Sequence, residues 1–124
     1  MRLSVLPTSP IPVYRQLYEE IFSQVISGEL KSGDPLPPIR TVAKELGIGV
    51  ITVRTAWDAL EADGLIVTRA GSGCSIAPVD RERLDELRRE AVSEPLKSLI
   101  VSARKLGFTE EELIRCVRDE MTRK

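Results

Sequence analysis

The 124-residue sequence predicts a fold that is mainly α with one small β-hairpin. Three observations predict it. Apolar residues recur at spacings of three and four in five stretches, glycines close four of those stretches, and one pair of β-rich runs flanks a glycine-rich turn. Hydrophobic residues make up 42% and charged residues 30%, the balance of a folded protein with one domain or one small domain and an appendage.

The first residues, MRLSVLPTSPIP, carry prolines at 7, 10 and 12 that break any helix. They contain no apolar run of signal-peptide length, and no stretch of the chain is long and apolar enough for a membrane span, so a cytoplasmic protein is expected. From 12 to 28, Tyr14, Leu17, Tyr18, Ile21, Phe22, Val25 and Ile26 form one wide apolar face. Pro12 suits the first turn of that helix and Gly28 its end. ELKSGDPLPP then reads as a loop held to the body by Leu30 and Leu36.

A short helix starts at Pro38, with Ile39, Val42, Ala43 and Leu46 on one face, and ends at Gly47. After the turn Gly47-Ile48-Gly49 the next runs to about Asp63, with Val53, Ala56, Trp57 and Leu60 turned inward and Gly64 at the closing position. Two short helices around a glycine turn make a helix-turn-helix. LIVTR (65–69), AGSG (70–73) and CSIAP (74–78) make the hairpin, which is too small to stand alone and must pack on the helices. The whole is a winged helix-turn-helix, with residues 1–79 as its domain.

Residues 80–124 form a helical dimerisation tail in this reading. Pro95, with Ser93 or Glu94 near a cap, predicts a break or kink there. Leu96, Leu99, Ile100, Ala103 and Leu106 form one stripe, and Leu113, Ile114, Val117 and Met121 another. Gly107 ends the first helix and Thr109 to Glu112 open the second as a capping box. Two stripes on so short a segment cannot enclose a core, so a second copy of the chain is the expected partner.

The chain has no histidine, which removes the commonest general base and zinc ligand. Catalytic residues, cofactors and metal ligands are therefore read as none. Cys74 and Cys116 form no CxxC pair and are expected to be reduced thiols. In a helix-turn-helix the second helix enters the major groove with its N-terminal residues at base edges. Those left facing outward are Val50, Ile51, Thr52, Arg54, Thr55 and Asp58. Arg54 can pair bidentately with guanine or grip a phosphate, the threonines can bond to either, and Val50 or Ile51 could touch a thymine methyl. A solvated face is the bland alternative, against which two adjacent β-branched apolar residues argue. Arg40 could reach the DNA backbone, or else pair with Glu45. Arg69, Gly71 and Ser72 lie on the wing, where glycines admit close approach to phosphate or the minor groove.

The run LPPIRTVAKELGIGVITVRTAWDALEADGLIVTRAGSGCSIA resembles the winged-helix domain of the GntR family of bacterial transcription regulators. The matching parts are LP-x-x-R-x-x-A-x-x-LG at 36–47, T-V-R-x-A at 52–56, L-x-x-x-G-L-I at 60–66 and R-x-G-x-G at 69–73. With PIPVYRQLYEEI before it and a two-helix tail after it, the chain is most similar to the YtrA branch. The resemblance implies DNA contacts from Arg40, Thr52, Arg54 and Gly71, and a tail that dimerises and sets the half-site spacing. It departs from the family at Val50, where Arg or Asn is frequent, and at Pro38, which removes an N–H from a helix start.

The expected function is a sequence-specific regulator, a repressor that binds a palindromic operator in double-stranded DNA as a homodimer. The alternative is a winged-helix protein-interaction module without DNA binding, which the balanced charge favours slightly. Catalysis is excluded by the missing groups, and no small-molecule effector is read from the sequence. Residues 1–79 hold seven basic and eight acidic side chains and residues 80–124 eleven of each, so neither part is basic. A DNA face must therefore be made by position, with few phosphate contacts and reliance on dimerisation.

Overall fold

A computed structural model describes residues 3–123. Its elements are α1 (Val13–Ser27), α2 (Ile39–Leu46), α3 (Val50–Ala62), β1 (Ile66–Arg69), β2 (Gly73–Ile76), α4 (Arg81–Lys105) and α5 (Glu110–Thr122). Contacts divide the chain into two compact units, Met1–Leu84 and Asp85–Lys124.

The core of the first unit comes from the predicted stripes. Leu17, Ile21 and Phe22 of α1 are buried, and so are Val53, Ala56, Trp57 and Leu60 of α3, the four residues that the spacing turned inward. Val42 and Ala43 add α2, while Leu65, Ile66, Ile76 and Ala77 anchor the hairpin. Each fully buried aliphatic or aromatic side chain contributes about 1.5–3 kcal/mol, so α3 is held along its whole inner face rather than at its ends. Pro12 precedes α1 as its cap with φ −54° and ψ 143°, one position outside the first turn where it was expected. An N-terminal cap keeps extended dihedrals while its carbonyl already accepts helical N–H groups, here those of Arg15 and Gln16 at 3.0 and 3.1 Å.

The loop between α1 and α2 does more than connect. Leu30 and Leu36 are buried as expected. In addition, Gly33 N–H donates to the Ile76 carbonyl (2.8 Å), Ile76 N–H to the Asp34 carbonyl (2.9 Å) and Leu36 N–H to the Cys74 carbonyl (2.9 Å). These bonds lay residues 33–36 along β2, with a bridge between Pro35 and Ser75. Proline fits this edge because the pairing uses the N–H groups of residues 33 and 36 and none from 35. The hairpin itself is antiparallel, with Ile66 opposite Ile76 and Arg69 opposite Gly73.

In the second unit α4 runs unbroken through Pro95, against a break at that residue, one of the two outcomes expected there. Proline's fixed φ is already helical, so the cost is one lost bond to the Ala91 carbonyl and ring crowding against it, and the turns on either side carry the helix across. Gly107 ends α4, and the Phe108 N–H reaches back to the Ala103 carbonyl at 2.9 Å. The capping box forms as read: Thr109 Oγ1 accepts from Glu112 N–H (3.2 Å) and Glu112 Oε1 accepts from Thr109 N–H (3.0 Å). Between α4 and α5 lies a groove of about 540 Å³ lined mainly by apolar side chains, among them Leu99, Phe108, Leu113, Ile114 and Val117, together with Arg104, Thr109, Glu110 and Arg118. Among the described residues no helix is long and apolar enough to cross a membrane.

Candidate nucleic-acid interface

Three pieces of the first unit carry the eight residues expected to meet DNA. Arg40 is exposed in the first turn of α2, where Pro38 caps the helix without a side-chain bond. Val50, Thr52, Arg54 and Thr55 lie in the first two turns of α3, after Gly49. Arg69, Gly71 and Ser72 form the end of β1 and the hairpin tip, all exposed. Among the described residues, none of the three guanidiniums forms an ion pair, so Arg40 is not tied to Glu45 and all three keep their donors.

The hydrogen bonds sort these groups by what they can still do. Thr55 Oγ1 donates to the Ile51 carbonyl at 2.9 Å, so its hydroxyl faces outward only as an acceptor. Thr52 is half-buried, and a Cβ added at Gly49 would lie in ordinary contact with Thr52 Oγ1, 3.7 Å away. Ser72 N–H is already used within the turn, donating to the Arg69 carbonyl at 3.0 Å. The Gly71 N–H makes no bond among the described residues, and its φ of +80° turns the wing tip in the way that glycine allows. Val50 is half-buried, whereas Ile51 is 79% exposed.

The far end of α3 is tied to α1. Tyr18 Oη donates to Asp63 Oδ2 at 2.5 Å, and the Tyr18 ring meets Phe22 edge-on at 5.8 Å. Burial pushes the Tyr18 hydroxyl well above its ordinary range, and the bond to Asp63 and the charge of that carboxylate push the same way; Arg15 and Arg83 oppose them. Sequence spacing could not find this pair, since 45 positions separate the two residues.

Comparison with known proteins places the fold and the site in one context. The model for "Bacterial regulatory proteins, gntR family" matches residues 13–76, the segment from α1 to the end of β2. The HTH-type transcriptional repressor YtrA of Bacillus subtilis is 30% identical over 117 residues, covering 94% of this chain and 90% of its own. A GntR family transcriptional regulator from Listeria monocytogenes superposes with a TM-score of 0.73 at 25% identity, over 93% of this chain and 98% of that one. The structure of AraR(DBD) in complex with operator ORX1 matches 62% of this chain and 99% of that one, with 28% identity and a TM-score of 0.55. Some relatives are far longer, and this chain spans 14% of their length.

Proposed function

The chain belongs to the gntR family of bacterial regulatory proteins, transcription regulators rather than enzymes, and from that premise we propose a homodimeric repressor that occupies a palindromic operator in the cytoplasm. The winged helix of the first unit is its DNA-binding part. In this reading α3 lies in the major groove, Arg40 and Gly71 meet the backbone, and Arg69 and Ser72 meet phosphate or the minor groove. Repression in this reading acts by occupancy of the operator.

The observation that carries the reading is the set of three exposed arginines, unpaired among the described residues, on α2, α3 and the wing of a chain whose net charge is −1. Exposed arginines without an ion pair among the described residues also lie on α4 and α5, at Arg81, Arg89, Arg104, Arg115 and Arg118, so what sets these three apart is their place on the helix-turn-helix and the wing, for which the family's operator complexes make duplex DNA the natural counterpart. Fluorescence anisotropy with duplexes selected from a random pool tests this. Selected duplex should bind at least about a thousandfold more tightly than random duplex, with affinity falling steeply as salt rises. A shallow salt dependence with no preference would instead favour a protein-interaction module. Arg54→Ala should cost about 1–3 kcal/mol on selected duplex and much less on random duplex if Arg54 reads guanine; equal loss on both would assign it to phosphate.

A further inference from the structure

We propose that Ile51 is a specificity-determining residue that reads the C5 methyl group of a thymine in the major groove. The inference rests on the DNA-binding reading and deepens it by naming the base feature that is recognised.

Ile51 is 79% exposed, the most exposed large apolar side chain described in the first unit. It stands half a turn around α3 from the stripe of Val53, Ala56, Trp57 and Leu60, so no repacking of the core can cover it. A β-branched apolar side chain in water at a helix start gains nothing for folding: its helix propensity is modest and its surface is unsatisfied. Arg54 stands one turn on along the same face as a polar reader, and the other neighbours leave an apolar spot beside it. Gly49 offers no side chain, Val50 is apolar, and the Thr55 hydroxyl spends its proton on the Ile51 carbonyl. Asp58 lies on the same outward face two turns on, where its charge opposes phosphate and leaves the first two turns as the part that can enter a groove. Among the edges that base pairs present in the major groove, the thymine methyl is the apolar feature, and an exposed isoleucine is its chemical match.

The experiment uses the full chain and a duplex that it selects from a random pool. Each thymine is replaced in turn by deoxyuridine, which removes the methyl and keeps the pairing. One thymine per half-site should be methyl-sensitive, with affinity about fourfold lower after replacement, the effect of one buried methyl. Ile51→Ala should bind the thymine and deoxyuridine duplexes equally, and Ile51→Val should keep the preference. The ratio between the two duplexes should not change between about 50 and 200 mM salt, because no counterion is released by a methyl contact. If selected duplex binds tightly but no thymine is methyl-sensitive, or if Ile51→Ala keeps the wild-type ratio, the proposal is overturned and DNA binding stands. If selected duplex binds no better than random duplex, the functional reading fails and this proposal falls with it.

Discussion

Tyr18 and Asp63 tie the far end of α3, the helix proposed to read DNA, to α1. The hydrogen bond between them crosses from α1 to the end of α3, and burial first, with that bond second, keeps the phenol neutral. Because the hydroxyl is harder to ionise in the folded chain, its contribution is fully present below the unfolded value of about 10 and is lost as pH rises above it. Tyr18→Phe should therefore lower stability by about 1–2 kcal/mol near neutral pH and flatten the loss above about pH 10. Urea denaturation across pH 7–11 measures both, and an unchanged alkaline slope would mean that this tyrosine is not the titrating group. At this scale the sequence was informative where a residue's neighbours lie within one helix. The inward face of α3 was legible residue by residue and the outward one at Ile51, Arg54, Thr55 and Asp58, whereas Val50 and Thr52, read as outward, are half-buried. The Tyr18–Asp63 bond was not, nor was Gln16, whose amide accepts from Leu6 N–H (2.7 Å) and donates to the carbonyls of Leu6 (3.0 Å) and Ile11 (2.8 Å). Such bonds depend on where separate segments meet, which periodicity does not encode.

Helix ends carry the information that single residues lack. After each of Gly47, Gly64 and Gly107 comes an apolar residue whose N–H reaches back to the last helical turn: Ile48 to Ala43, Leu65 to Leu60 and Phe108 to Ala103, at 2.9–3.0 Å. This is the Schellman arrangement, in which the apolar residue after glycine packs back on its helix. Its signature was present for Phe108, which lines the tail groove but lies outside the two stripes. Pro95 misled for the opposite reason, since a residue rule about helix breaking was overruled by an element long enough to span the defect. Proline inside a helix costs up to about 3 kcal/mol relative to alanine. Pro95→Ala should therefore raise the thermal midpoint, by about 4 °C or more for each kcal/mol recovered, with added helical circular dichroism signal. A lower midpoint would show that the proline itself, or the Ala91 carbonyl it leaves free, is required by whatever the tail packs on.

On the scale of the whole molecule, charge and apolar surface point to the same assembly. Neither half of the chain has an excess of basic residues, so a single winged helix can release few counterions and should bind DNA weakly. Linking two such modules raises affinity by about 100- to 10,000-fold without any new contact to DNA. The tail has the surface for that link: Leu99, Phe108, Ile114 and Val117 remain 41–44% exposed along the groove of the second unit. A contiguous apolar groove on a two-helix segment is costly in water and cheap to cover with a second copy of itself. The full chain should accordingly sediment as a dimer. Ile114→Glu, a charge placed in that groove, should give a folded monomer that binds a palindromic duplex at least about 100-fold more weakly while its affinity for an isolated half-site stays unchanged. Losing half-site affinity as well would mean that the tail supports the fold of the reading head. A wild-type monomer with full operator affinity would remove dimerisation from the mechanism and require the missing affinity to come from the winged helix alone.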